Sequence, residues 1–166
     1  MIGNPLAEPE DRLAWEVRAV AERLRRLSPA RLRMPLPPYP SREQAGRILA
    51  QQLADAAAGV VARDSDQPPR WHEVPEIEVF AVGEQVAVTG NDLVLELAGL
   101  SATGAAGAGE GVGRVPDGVT GAGDARGKGA GPLAADTMIW TRSGRRPLSA
   151  VIDELIATLR ELRLGL

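Results

Sequence analysis

Four stretches of this chain repeat apolar residues at alternating spacings of three and four, the period of a helix with one buried face. The first runs from Pro9 to Leu27, with Leu13, Val17, Val20, Leu24 and Leu27 on one stripe. Pro9 suits a first helical turn, and Glu8, Glu10 and Asp11 complement the positive end of the helix dipole. Arg23, Arg25 and Arg26 stand near the opposite end, and Ser28-Pro29 stops or resets the helix. The second stretch opens at Ser41, which forms an S-x-x-Q capping box with Gln44, and continues to about Arg63. Ala45, Leu49, Leu53, Ala56 and Val60 make its stripe, and its many alanines predict close approach to a neighbour. The last stretch, to about Leu164, has Leu148, Ile152, Leu155, Leu159 and Leu162. Ser149, like Ser41, reads as a cap.

Residues 75–100 carry two patterns at once. Read as strands, Ile77, Val79 and Ala81, then Val86 and Val88, then Leu93, Leu95 and Leu97 form a meander turning at Gly83 and at Gly90-Asn91-Asp92. Read as a helix from Pro75 to Gly99, the stripe is Val79, Val82, Val86, Gly90, Leu93, Leu97 and Leu100. Valine content and two internal glycines favour strands, each glycine costing a helix about 1 kcal/mol. The helix is preferred because three amphipathic helices need a fourth, and four bury their stripes without an open sheet edge.

Between the helices, Met34 to Pro40 packs four prolines into six residues and predicts a stiff, extended, polyproline-like connector. Asp64 to Arg70, with Pro68-Pro69, reads as a turn region. Asp136 to Arg142 reads as an edge strand or extended segment, from which Arg145-Arg146-Pro147 leads into the last helix. The expected fold is therefore all-α: a four-helix bundle-like single domain over residues 1–166, with a flexible Gly/Ala-rich insertion at 101–131 before the last helix. The alternative is α+β, a small antiparallel meander covered by three helices.

Composition narrows the chemistry. Of 19 glycines in 166 residues, 12 fall between Gly99 and Pro132. This window lacks the spacing of a phosphate loop: no G-x-G-x-x-G occurs, and Gly127-Lys128 is followed by Gly129 where Ser or Thr is required. With no cysteine, disulfides, thiolate metal sites and cysteine nucleophiles are excluded. His72 is the only histidine, too few for a multi-histidine metal centre, and no G-x-S-x-G elbow is present. No catalytic residue, cofactor site or metal site is assigned. No apolar run approaches the 18 residues of a membrane span. The first ten residues carry prolines and acids rather than a basic-then-apolar signal, so a cytoplasmic location is expected.

A net charge of −3 gives no general affinity for nucleic acid, and no such partner is expected. The charge is unevenly placed. Arg18 to Arg33 holds six arginines and one acid, whereas Glu73 to Asp117 holds eight acids and one arginine. These read as two mutually attracting surfaces. The chain has only five aromatic residues, so Trp15, Trp71 and Trp140 stand out. Trp15 lies off the first stripe and either widens the buried face or meets a partner; Trp71 follows two prolines and can pin a connection to the bundle. The functional expectation is a small non-enzymatic interaction module with a protein partner or a second copy. The alternative is an anion-binding domain or enzyme with a pocket near Trp71, His72 and Trp140, its ligand gripped by Arg142, Arg145 and Arg146.

Overall fold

The computed structural model describes residues 8–106 and 137–166, the side chains of 101–106 excepted. In chain order the elements are α1 (Pro9–Arg26), α2 (Pro29–Leu32), α3 (Arg42–Val61), a 3-10 turn (Val79–Ala81), α4 (Val82–Ala106), β1 (Met138–Thr141), β2 (Gly144–Pro147) and α5 (Leu148–Gly165). The expected mostly helical, four-helix architecture is present, with a two-stranded antiparallel hairpin added. The insertion expected at 101–131 falls outside the described residues, apart from the helical backbone that ends α4.

α1 packs against α4 and α5, and α3 packs against α4 and α5, so the four long helices close a ring around one core. The predicted stripe residues line it: Leu13, Val17, Val20 and Leu24 from α1, Leu49 and Leu53 from α3, Ile152 and Leu159 from α5. Residues 82–106 are helical because Val82, Val86, Leu93 and Leu97 all reach this core from one face. The two glycines that argue for strands serve the helix instead. Gly83 lies against the Ala21 carbonyl and Gly90 against Val17, so α4 presses on α1 where a side chain would hold it away.

Both ends of α4 differ from expectation. Pro75 lies in an extended segment, and the helix starts only after the 3-10 turn. Gly99 has open space around it and keeps the helical course, so it does not cap the helix.

Ser28 resets the chain: its hydroxyl accepts from the Arg31 amide and starts α2 at Pro29. Ser41 caps α3 as predicted, accepting from the Gln44 amide at 3.1 Å. The proline segment corrects the expectation of an extended connector. Leu36 and Tyr39 exchange backbone hydrogen bonds around a cis Pro37–Pro38 peptide, so the chain folds back on itself.

The direction of the helices follows from their contacts. Gly46, early in α3, meets Val82 at the start of α4 and Leu24 near the end of α1. α3 and α4 therefore run parallel, and α1 runs against both. Parallel neighbours require a return path along the bundle, which residues 62–78 provide. This strap has no regular structure, and side chains satisfy its backbone. Gln51 donates to the His72 carbonyl (3.0 Å) and accepts from the Val74 amide (2.8 Å). Arg47 donates to the Ile77 carbonyl and Gln85 to the Pro75 carbonyl, both at 2.6 Å.

The hairpin pairs Met138 with Pro147 and Thr141 with Gly144. Gly144 adopts φ +117°, a conformation side chains disfavour, to close the turn. The expected single edge strand is thus half of a hairpin, and Arg145-Arg146-Pro147 is the other half. Ser149 does not cap α5; it lies inside the helix, and Pro147 holds the cap position. The Leu148 amide instead donates to the Thr137 carbonyl at 2.8 Å, so the residue just before β1 satisfies one of the free amides of the first helical turn.

The hairpin meets α3 at Gly59, where an added Cβ would stand 2.0 Å from the Trp140 carbonyl oxygen. Gly59→Ala must lift β1 from the helix and is expected to cost about 1–3 kcal/mol in urea unfolding. Gly99→Ala, in open space on a helix, should gain about 0.5–1 kcal/mol. Equal stability of the Gly59 variant and the parent chain would contradict this packing.

Candidate functional site

Five of the seven residues singled out from the sequence gather where α3 ends and the hairpin leads into α5. Trp140 and Arg145 are cross-strand partners, with the guanidinium carbon 5.3 Å from the indole centroid. Trp140 donates its Nε1–H to the Ser65 carbonyl at 3.0 Å, and Arg145 donates to the Arg63 carbonyl. Both anchor the hairpin to the first residues beyond α3. Arg142, on the hairpin turn, grips Asp55 with two hydrogen bonds (2.5 and 3.0 Å) and lies 5.7 Å from the Trp71 ring centroid. The Asp55 hydrogen bond holds the Arg142 guanidinium above even its ordinary pKa range. Arg146 pairs with Glu154 at 2.8 Å.

His72 lies one residue beyond Trp71 in the strap. The bond that holds it runs through its backbone carbonyl, and the residue is exposed. Trp15 is elsewhere, on α1. Trp71 meets the rest of the molecule through Arg142, whose guanidinium lies over its ring.

A hollow of about 230 Å³ lies between the hairpin, α3 and α5, lined by Asp55, Trp140, Arg142, Arg146, Glu154 and Thr158. Trp71 and His72 do not border it. Its two arginines already face two carboxylates, so an entering anion must displace Asp55 or Glu154. The site is a neutral, self-satisfied cluster that joins strap, hairpin and bundle. Sequence reading missed Asp55 and Gln51. Their signal was a polar i,i+4 pair off the stripe of α3, bonded to each other at 2.8 Å.

A second cluster surrounds Glu16, which is 2% exposed although it carries a charge. Arg160 and Arg163, one turn apart on α5, donate to its two oxygens at 2.8 and 3.0 Å. The Arg163 guanidinium also lies 5.0 Å from the Trp15 ring centroid, and Trp15 remains 45% exposed. Trp15 therefore roofs an ion cluster that couples α1 to α5.

The outer face of α4 carries exposed apolar side chains. Val88 and Leu95 are 59% and 61% exposed, with exposed Asn91 between them and exposed Ala98 one turn on. Their spacing of three, four and three is that of a coiled-coil seam, opposite the face that fills the core. Beside it, α1 and α4 bound a groove of about 520 Å³ whose walls include the small side chains Ala14, Ala21 and Ala87. Arg25 and Glu84 bridge one end with two hydrogen bonds of 2.6 and 2.7 Å. This pair joins the basic and acidic stretches seen in the sequence. Its hydrogen bond holds the Glu84 carboxyl below the usual carboxylate range and Arg25 above its own.

Arg18 and Asp92 also border the groove, and neither forms an ion pair with a described residue. Other exposed apolar residues, such as Met34, Phe80 and Leu164, come from separate segments.

Among the described residues no three His, Asp or Glu gather to hold a metal ion, and no helix is long and apolar enough to cross a membrane. No family model, curated protein or solved structure matches the chain.

The Glu16 cluster makes an asymmetric prediction. Removing Arg160 and Arg163 together strands a buried carboxylate and is expected to cost about 3 kcal/mol in urea unfolding. Glu16→Met should cost less, because the two partly exposed arginines can turn to water. The reverse order would contradict the account.

Proposed function

We propose that the chain is a non-enzymatic interaction module of the cytoplasm, whose docking surface is the outer face of α4. The observation that carries this reading is the seam of Val88, Asn91, Leu95 and Ala98. α4 buries one apolar face in the core and presents Val88 and Leu95 to solvent on the opposite side. Two large apolar side chains exposed seven residues apart on one helix face offer a partner an anchor. The arginine-rich cluster at the hairpin offers less to a ligand, since Arg142, Arg145 and Arg146 are each already bound to a carboxylate or carbonyl of the chain.

Placing a photo-reactive amino acid at Leu95 in cells tests the reading. The expected result is a discrete protein adduct, lost when Val88→Glu is added and not formed from the same probe at exposed Glu161 on α5. No adduct at Leu95, or equal labelling at both positions, would overturn it.

A further inference from the structure

We propose that one end of the bundle is a docking surface for the anionic phospholipids of a membrane face. It is the end where α1 and α5 finish and α3 and α4 begin, and it is separate from the outer face of α4. The contact is peripheral, since no described helix is long and apolar enough to cross a bilayer.

Contacts distant in sequence bring three exposed apolar side chains to this end. α2 packs against the 3-10 turn that carries Phe80. The Met34 carbonyl, two residues beyond α2, accepts the Arg42 amide at the start of α3 at 3.1 Å. A Cβ on Gly165 would stand 2.7 Å from Leu36, so the end of α5, with Leu164, adjoins the loop that holds Met34. Met34, Phe80 and Leu164 are 52%, 65% and 78% exposed.

The charge around them is mainly positive. From Arg23 to Arg42 the chain holds six arginines and no acid. Glu84 and Glu22 face Arg25 and Arg26. Arg23, Arg31 and Arg33 are exposed and form no ion pair with a described residue. Exposed Glu78, two residues before Phe80, offsets part of this charge.

Arginine grips a phosphate whichever molecule carries it, so the apolar side chains identify the occupant. Nucleic acid has little use for them: bases stack on rings, and Met34 and Leu164 have none. An acidic peptide follows a groove or a single helix face, whereas these side chains come from three separate segments around one end. A bilayer surface takes both features at once. Apolar side chains enter the acyl boundary while guanidinium groups pair with headgroup phosphates, and the two signals together anchor where one is marginal.

Sedimentation of the full chain with vesicles tests the proposal. The chain should bind vesicles of phosphatidylglycerol and phosphatidylcholine, more weakly as salt rises, and should not bind phosphatidylcholine alone. Arg31→Glu and Arg33→Glu should each weaken binding at least about fivefold. Phe80→Ser and Leu164→Ser should weaken it as well, all four with the helical circular dichroism signal unchanged. Two exposed positions elsewhere are controls, Arg70 in the strap and Val61 at the far end of α3. Arg70→Glu and Val61→Ser should leave binding as it is. No binding to the anionic vesicles would overturn the proposal. So would equal losses from Arg70→Glu and Arg31→Glu, or full binding by Phe80→Ser and Leu164→Ser, since either marks attraction by charge alone. Retention of single-stranded RNA or an acidic peptide without vesicle binding would overturn it in favour of that ligand.

Discussion

Running α3 and α4 side by side in the same direction obliges the chain between them to travel back along the bundle. Along that path its amides and carbonyls have no helix or sheet to satisfy them, so those that face the bundle need side-chain partners while the rest face water. The molecule answers with a row of side chains on α3. Glu43, Arg47, Gln51, Asp55 and Gly59 follow one another at intervals of four. Glu43 holds Arg47, Arg47 and Gln51 hold the strap, Asp55 holds Gln51 and Arg142, and Gly59 admits the hairpin backbone. This row ties the strap and the hairpin to α3.

Much else follows from that arrangement. With the strap along α3 and the hairpin across its far end, α3 is covered on both its core and outer sides. α4 is covered on the core side, while Gln85 secures the strap at one margin. Its outer seam is left without cover. The tryptophan and arginine cluster is then understood as architecture: Arg142 on the hairpin turn reaches Asp55 of α3 and the Trp71 ring of the strap, while Trp140 bonds the Ser65 carbonyl. The chemistry that drew attention in the sequence mostly holds the fold, and the exposed surface lies on the helix whose identity was hardest to read.

What could be read in advance had a local cause. Periodic apolar residues in α1, α3 and α5 predicted those helices, because burial of one face is recorded at intervals of three and four. The Ser41 cap was legible since its partner is three residues away. What escaped depends on contacts distant in sequence. Ser149 looked like a cap until the Thr137 carbonyl took that role, and Pro75 looked like a helix start until Gln85 claimed its carbonyl. Arg142 and Asp55, or Glu16 and Arg160, pair across most of the chain, and no local pattern marks them. Val88 and Leu95 stand in the sequence at a helical spacing, but they fit the strand pattern of the same stretch equally well. Only the buried positions of Val86, Leu93 and Leu97 separate the two faces.

The central claim, that side chains of α3 hold the strap and thereby allow two parallel helices, is open to one direct measurement. It is amide hydrogen exchange at Val74 in the parent chain and in Gln51→Met. The account predicts a protected Val74 amide in the parent, because Gln51 Oε1 accepts it at 2.8 Å, and loss of that protection in the variant while the core amides of α3 stay slow. A Val74 amide that exchanges freely in the parent, or keeps its protection without Gln51, would contradict it.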